Sequence, residues 1–195
     1  MEFKPYFGQQ IADVITPLGE LRISVFRDFP YLYEGSLLYE ENYLQIYVDA
    51  PEAMLFSVWD GSRMVGATTC IPLRNETEEV QEPFEKADLP IDKIFYFGES
   101  ILLPSYRGKG LGKRFFAERE QHAASSGRYQ SVYFCGVERP DDHPLRPANY
   151  RPLDPFWKAQ GYQPAGLVSY FQWRDIGEET ESKKKMNYWW KDLQR

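Results

Sequence analysis

Cysteine and histidine are scarce in this sequence of 195 residues, which contains two of each. Cys70 and Cys135 both lie inside apolar runs, where a small hydrophobic side chain serves equally well. A reducing compartment is the simplest assumption for such a chain. Because the sequence also has no cluster of cysteines or carboxylates at ligand spacing, we expect no metal site.

Long apolar runs and an excess of positive charge are lacking as well. No stretch approaches the ~18 apolar residues of a membrane-spanning helix, and residues 1–8 lack the apolar core of a signal peptide. We therefore expect a cytoplasmic protein without a membrane partner. A formal net charge of -6 disfavours a nucleic-acid partner, which needs clustered lysine and arginine. The basic run at residues 183–185 is interpreted as a solvated face or strand edge.

The length and the apolar share of 43% are typical of one domain with a real core, and we assign residues 1–195 to a single domain. Apolar periodicity predicts two helices within residues 16–50, separated at Pro30, and further helices at 109–126 and 154–160. Residues 74–92 are interpreted as a loop or short helix near the substrate entrance. Strands are predicted at 54–59, 64–73, 93–103, 130–137, 167–173 and 186–190. This order of elements indicates a mixed α/β domain.

The segment from Tyr106 to Gly112, Tyr-Arg-Gly-Lys-Gly-Leu-Gly, lies between a predicted strand and a predicted helix. Free amide groups at the helix start and the helix dipole favour an anion there. Its glycines let a phosphate approach the backbone, and Arg107 and Lys109 offer cations at the rim. The spacing does not match a dinucleotide-binding fingerprint, and Arg114 stands where a Walker loop needs Ser or Thr.

The pattern that remains, Arg107-x-x-Gly110-x-Gly112, resembles the coenzyme-A loop of the GNAT acetyltransferase superfamily. The apolar Leu102-Leu-Pro ahead of it, the amphipathic helix behind it and the later segment 156–162, Phe-Trp-Lys-Ala-Gln-Gly-Tyr, resemble the same family. The resemblance extends over residues 18–190. It implies a mixed central sheet that splays at its middle strands and is flanked by helices.

The resemblance also implies acetyl-CoA as co-substrate. The main chain of three residues would pair with the pantetheine arm, which can run like an added strand: Ile101, Leu102 and Leu103. The loop and the first residues of the helix would bind the pyrophosphate: Arg107, Gly108, Lys109, Gly110, Leu111, Gly112 and Lys113.

Transfer of an acyl group to an amine needs a base for the ammonium and a proton for the leaving thiolate. Glu99 is the first candidate for the base, because a carboxylate within an apolar strand is costly unless it is used or paired. The alternative is a carboxylate bound to a neighbouring arginine or facing solvent. Trp157 replaces the tyrosine that protonates the thiolate in the resembling family. Tyr150 or Tyr162 could do so instead, or no protein acid is needed.

The proline-rich loop, residues 139–152, lies where the family places the acceptor. His143 is an alternative base, and Arg146 or Arg151 could hold an acceptor carboxylate by a bidentate contact. Trp157 is assigned to the same acceptor side. The other interpretation is a loop fixed by its own hydrogen bonds. His122, on the helix after the glycine loop, is expected to be structural.

These residues predict an N-acetyltransferase that moves an acetyl group from acetyl-CoA to a primary amine of a small molecule or peptide, by direct attack in a ternary complex. A non-catalytic acyl-CoA sensor or assembly module of the same fold is the alternative, because Trp157 replaces the acid. A third hypothesis is a modifier of basic protein tails, since the acidic residues 76–85 could attract a cationic peptide.

Overall fold

The computed structural model describes residues 1–193, which form a seven-stranded sheet flanked by helices. The strands are β1 Glu2–Phe7, β2 Met54–Asp60, β3 Arg63–Pro72, β4 Ile94–Leu102, β5 Ser131–Val137, β6 Gln163–Trp173 and β7 Ser182–Asp192. The helices are α1 Ile15–Phe26, α2 Leu37–Asp49, α3 Glu78–Lys86, α4 Leu111–Ser125 and α5 Asp154–Ala159.

The strands follow the order β1-β2-β3-β4-β5-β7-β6. All neighbouring pairs are antiparallel except β4 and β5, which run parallel. That parallel ladder extends only from Ile94 and Ser131 to Tyr96 and Tyr133, so the two strands separate beyond it. The expected mixed sheet, splayed at its middle strands, is thereby confirmed.

The predicted helices and strands are present, with boundaries shifted by a few residues. Gly61 has a φ of +60° in the hairpin turn between β2 and β3, and Gly127 has a φ of +65° after α4. Ser36 caps the start of α2 by accepting a hydrogen bond from the Tyr39 N–H group. The strand β1 was not predicted, because Pro5 interrupts its strand pattern; at the edge of a sheet a proline is tolerated.

A bulge in β4 directs Glu99 away from its ideal strand position. Thr68 pairs with Ser100 and Cys70 with Phe97, so β4 has one residue more than β3 in this interval. The hydroxyl of Thr68 donates to the Glu99 carbonyl at 2.8 Å, and the Glu99 N–H group donates to the hydroxyl of Thr69 at 3.1 Å. The two threonines therefore satisfy the backbone groups that the bulge removes from the ladder.

The interpretation of the basic run 183–185 as solvated is wrong for its middle residue. Lys184 is buried, and its ammonium lies 3.2 Å from Asp175 and 3.3 Å from Glu178. Because a buried ammonium is costly without counter-charges, these carboxylates explain its position. The expected domain, residues 1–195, includes Gln194 and Arg195, which lie outside the described residues; its extent stays a prediction.

Candidate active site

The glycine loop before α4 has the backbone geometry of an anion-binding turn. Gly108 and Gly110 have φ values of +76° and +81°, and a Cβ added to either would have no neighbour within 4 Å. Both glycines are thus required by the backbone conformation, and the space in front of them is open. Gly112 differs, because its added Cβ would lie 3.2 Å from Phe156, so it allows α4 to approach α5.

The first N–H group of α4 that bonds within the helix is that of Arg114, which donates to Gly110 at 3.2 Å. The N–H groups of Leu111, Gly112 and Lys113 precede it, at the positive end of the helix dipole. An anion in front of this helix would meet these amides directly.

The side chains of the loop contact its own framework. Arg107 Nε donates to the Leu102 carbonyl at 3.2 Å, and the Tyr106 hydroxyl donates to Asp60 at 2.5 Å. Lys109 Nζ lies 5.0 Å from the centroid of the Tyr106 ring. Arg107 thus joins the loop to the end of β4, and both cations stay at the exposed rim of the loop.

The gap between β4 and β5 exposes one of the three backbone positions predicted for pantetheine. The Leu103 N–H group donates to the Val65 carbonyl at 3.0 Å, and Ile101 lies opposite Ala67 in the same ladder. Alternate residues of a strand address the same neighbour, so Ile101 and Leu103 both face β3. Leu102 lies between them and directs its N–H group towards the gap.

Glu99 is buried and forms an ion pair with Arg22 of α1. The same guanidinium also binds Glu40 of α2, so two buried carboxylates share one cation. Glu99 therefore has the contacts of the alternative interpretation, in which the carboxylate binds a neighbouring arginine. Burial raises the pKa of Glu99, and Arg22 opposes that rise. Within residues 1–193 the Oε1 atoms of Glu99 and Glu40 are buried without a hydrogen-bond partner.

A third buried carboxylate, Glu76, extends this polar cluster. Its oxygens accept hydrogen bonds from the Tyr47 hydroxyl at 3.2 Å and the Thr77 N–H group at 3.1 Å. Burial raises the pKa of Glu76 to about 7. The acidic stretch 76–85 is therefore not a uniform surface patch, since Glu76 points inward.

A cavity of about 420 Å³ lies at the end of β5. It is bounded by the turn between α1 and α2, the proline-rich loop, α5 and β7. Three of the predicted site residues line it: Arg146, Tyr150 and Trp157. His143 and Arg151 are not among its lining residues.

The proline-rich loop is held by local contacts. Arg146 binds Asp141 at 2.8 Å, and the Tyr150 ring packs edge-on against Phe29 at 4.7 Å between ring centroids. His143 Nδ1 accepts a hydrogen bond from the Leu145 N–H group at 3.2 Å. Arg151 is exposed. The loop is thus fixed by its own hydrogen bonds and still presents Arg146 and Tyr150 to the cavity.

Trp157 occupies space that a missing side chain leaves on β5. A Cβ added to Gly136 would lie 2.7 Å from the indole, and the Trp189 ring packs against Trp157 at 5.2 Å. Tyr162, the other tyrosine near Trp157 in sequence, donates its hydroxyl to Glu120 at 2.9 Å and is absent from the cavity lining. An indole therefore borders the cavity from the α5 side.

The cavity also exposes a residue that the sequence did not suggest. Tyr31 lies in the turn between α1 and α2 and lines the cavity beside Gly136. No local pattern marks it, because it belongs to an irregular turn and its neighbours come from distant segments. His122, by contrast, behaves as a structural residue, with Nε2 2.8 Å from the Glu52 carbonyl oxygen.

Two other features are absent from residues 1–193. No group of three or more histidines, cysteines or carboxylates there is placed to bind a metal ion. None of the helices in this part of the chain has the length and apolarity needed to traverse a bilayer.

Comparison with solved structures identifies the same fold in several acetyltransferases. A ribosomal-protein-alanine N-acetyltransferase from Brucella melitensis superposes with a TM-score of 0.62 at 12% identity, covering 99% of this chain and 100% of that one. An aminoglycoside 6'-N-acetyltransferase complexed with coenzyme A gives 0.58 at 15% identity, with 100% and 98% covered. A protein from Salmonella typhimurium solved with its cofactor acetyl-CoA gives 0.57 at 8%, with 100% and 96% covered.

At the level of sequence, no curated protein matches the chain. The family model described as Acetyltransferase (GNAT) family matches residues 20–148. That match runs from α1 through the glycine loop and β5 into the proline-rich loop. This chain therefore belongs to the GNAT family of acetyltransferases.

Proposed function

We propose that the protein transfers an acetyl group from acetyl-CoA to a primary amine of a small molecule or peptide. The observation that carries the proposal is the open glycine loop at the start of α4, placed beside the gap between β4 and β5. Two similar folds contain coenzyme A or acetyl-CoA. Two are named as N-acetyltransferases, of ribosomal-protein alanine and of an aminoglycoside, so both amine classes fit this fold.

The residues present fit coenzyme A in two ways. The amides of Leu111, Gly112 and Lys113 would hold the pyrophosphate, with Lys109 as a cation at the rim. The Leu102 N–H group would bind the pantetheine arm in the gap. Acetyl-CoA supplies the activated acetyl group as a thioester, and the chain positions it for direct attack by the amine in a ternary complex.

Glu99 is proposed as the base that accepts the ammonium proton. Its raised pKa and its unpartnered Oε1 atom suit a proton acceptor, while Arg22 fixes the other oxygen. Since its side chain is enclosed, the proton would reach it through a water molecule or a hydroxyl group. His143 is a weaker candidate, because its Nδ1 already accepts a backbone hydrogen bond and it is outside the cavity lining.

The cavity is proposed as the acceptor site. Arg146 and Trp157 line it, and the Arg146 guanidinium could hold an acceptor carboxylate or a phosphate. Arg151 is exposed and would contribute only if the acceptor extends over the loop. Tyr150, packed on Phe29, would border the acceptor with its hydroxyl.

The non-catalytic alternative depends on Trp157, which borders the cavity with an indole that cannot act as an acid. In that case the protein would bind acyl-CoA without turning it over. A panel of primary amines, including aminoglycosides and peptides with N-terminal alanine, separates the two functions when thiol release from acetyl-CoA is followed. Binding of acetyl-CoA without turnover on any amine would favour the sensor.

The cofactor assignment is tested by a matched pair of glycine variants. Gly110→Trp fills the open space in front of α4, while Gly127→Trp places the same side chain at a glycine of positive φ after the helix, also without neighbours within 4 Å. Coenzyme A at saturating concentration should raise the Tm of the wild type and of Gly127→Trp, because a ligand bound only to the native state stabilises it. Gly110→Trp should show no such rise. An equal rise in both variants would overturn the loop assignment.

A further inference from the structure

We propose that Tyr31 is a further catalytic residue, whose hydroxyl donates the proton that the leaving thiolate needs. The inference rests on the proposed function, since it assumes that acetyl-CoA lies in the gap between β4 and β5. A proton donor for the thiolate is needed elsewhere, because Trp157 stands where the family has a tyrosine and an indole cannot act as an acid.

The backbone of Tyr31 is held from several directions. Its carbonyl accepts hydrogen bonds from Arg139 Nη2 at 2.7 Å and from the Trp173 indole at 3.0 Å. Arg139 also donates to the Pro30 carbonyl at 2.7 Å and binds both oxygens of Asp175, at 2.6 and 2.9 Å. A bidentate, buried arginine of this kind fixes the turn against the β6–β7 end of the sheet.

The Tyr31 ring is also packed, whereas its hydroxyl is free. The ring lies 4.5 Å from the Phe26 ring and 5.9 Å from the Trp173 ring between centroids. Among residues 1–193 no group forms a hydrogen bond with the Tyr31 hydroxyl, although Tyr31 lines the cavity. A fixed side chain with an unused donor at a cavity wall is preorganised for a ligand.

The ring contacts of Tyr31 connect it to β4, because the Phe26 ring on which it packs also lies 5.1 Å from the Arg22 guanidinium, which binds Glu99. Burial raises the pKa of Tyr31, with further influence from Cys135 of β5, Arg22, Tyr150 and Glu99 of β4. Cys135 Sγ lies 3.1 Å from the Tyr96 hydroxyl; Tyr96 is the last paired residue of β4, and Cys135 lies two residues beyond its partner Tyr133. Tyr31 also lines the cavity together with Gly136 of β5, so it is near both strands where they separate. Its raised pKa keeps the phenol protonated at neutral pH, as a donor requires.

A pantetheine arm that starts at the glycine loop and follows β4 past Leu102 would bring its sulfur towards the place where the two strands separate. Trp157 lies over Gly136 and borders the cavity from the α5 side, whereas Tyr31 borders it from the α1–α2 turn. Of these two rings, only the phenol can give a proton to sulfur.

The proton balance of the step closes without another reactant. The amine nitrogen forms a bond to the acetyl carbon, and the carbon–sulfur bond breaks with its electron pair on sulfur. Tyr31 gives its proton to that sulfur and regains one from the nitrogen in the same turnover, directly or through a water molecule. The raised pKa makes a lasting phenolate unfavourable, so the return of the proton must accompany its loss.

The test uses coenzyme A alone and needs no knowledge of the acceptor. The ultraviolet absorbance of the thiolate is titrated against pH in complexes of coenzyme A with wild type, Tyr31→Phe and Tyr150→Phe, with free protein as the blank. Burial raises the pKa of Cys135 and of Cys70 to about 12, so the protein thiols titrate well above coenzyme A.

A hydrogen bond from Tyr31 favours the thiolate, so the pKa of the bound thiol should be higher in Tyr31→Phe by about one pH unit or more. Coenzyme A affinity at pH 6, where the thiol is neutral, should stay within about threefold of wild type, because a neutral hydrogen bond contributes little. Tyr150→Phe removes a hydroxyl from the same cavity and should titrate like wild type.

The outcomes separate the two proposals. Failure of wild type to bind coenzyme A would overturn the proposed function, and with it the role of Tyr31. Normal binding with the same thiol pKa in wild type and Tyr31→Phe would overturn the role of Tyr31 alone, and a rise confined to Tyr150→Phe would transfer the role to Tyr150. The phenylalanine ring keeps the packing contacts of Tyr31. Should the Tm of Tyr31→Phe nevertheless fall markedly, Tyr31→Leu provides a second variant with the same expected titration.

Discussion

The proposed cofactor side and the proposed acceptor side of the candidate site are built in different ways. The cofactor side is a short continuous segment, residues 102–113, whose main binding groups are backbone amides at the start of α4. The proposed acceptor side, with the proposed base Glu99, depends on contacts between distant segments: Arg22 and Glu99 are 77 residues apart, and Arg139 and the Pro30 carbonyl that it binds are 109 apart. The first is open and exposed, whereas the second depends on buried ion pairs and packed aromatic rings.

Because of this difference, we expect side-chain substitutions to affect the two sides unequally. Removing an exposed cation from the glycine loop leaves the amides in place, so fold and site should tolerate it. Removing one member of a buried charge cluster leaves the others unpaired in a region of low polarity. The four predictions that follow test this contrast, in order of decreasing effect.

The largest effect is expected for Arg22→Met. The change leaves Glu40 and Glu99 buried without their shared cation, and breaking a buried pair typically costs about 3–5 kcal/mol in the free energy of unfolding. Denaturant unfolding measures it. Lys109→Met, an exposed change in the glycine loop, should stay within about 0.5 kcal/mol of wild type. The triple variant Arg22→Met, Glu40→Gln, Glu99→Gln should recover much of the loss. If Arg22→Met were as stable as Lys109→Met, the expected difference between buried and exposed charges would be wrong.

The next effect is a pH dependence of stability. Burial raises the pKa of Glu76 from 4.5 to about 7, so the folded state binds this proton more tightly than the unfolded state. The free energy of unfolding should therefore fall as pH rises from 4.5 to 7 and then level off, a contribution of about 3 kcal/mol at most.

Glu76→Gln should reduce this fall, measured by denaturant unfolding at several pH values. Glu85→Gln makes the same change of charge at an exposed position of α3 and should leave the fall as in wild type. If the free energy of unfolding changed with pH in the same way in wild type, Glu76→Gln and Glu85→Gln, a buried, protonated Glu76 would be contradicted.

The third effect is a loss of turnover in Glu99→Gln. The amide keeps the size and polarity of the side chain but cannot accept the proton, so kcat should fall by roughly 10²-fold or more on an accepted amine. The KM for acetyl-CoA should hardly change, because Glu99 is not part of the glycine loop. Since the pKa of Glu99 is raised, the rising limb of the wild-type pH–rate profile should lie above the range of an ordinary carboxylate. A variant with full turnover would exclude Glu99 as the base.

The smallest effect is expected for the arginines of the proline-rich loop. Arg146 lines the cavity, so Arg146→Ala should lower kcat/KM for a carboxylate-bearing acceptor by about tenfold and leave the KM for acetyl-CoA unchanged. Arg146→Lys should recover only part of that loss. Arg151→Ala is the matched control and should change little, because Arg151 is exposed outside the cavity lining. Loss of acetyl-CoA affinity in both Ala variants would make the loop a cofactor lid.

Much of the fold could be predicted because its signals are local. The hairpin at Gly61 and the helix end at Gly127 follow from glycines that the backbone requires at positive φ. The edge strand β1 was missed, since its pairing partner β2 lies about 50 residues away along the chain and Pro5 obscures the strand pattern. The burial of Lys184 was missed although its counter-ion Asp175 is only nine residues away, because the folding of the β6–β7 connection over Lys184 has no local sequence pattern.

The family, the order of the helices and strands, and the glycine loop could all be predicted from the sequence, because each depends on residues that are neighbours along the chain. Which side chains line the same cavity, by contrast, depends on the tertiary structure. Glu99 of β4 pairs with Arg22 of α1, and Tyr31 lines the cavity while Arg139 and Trp173 hold its carbonyl. Such contacts depend on the folded path of the chain, and no spacing in the sequence encodes them.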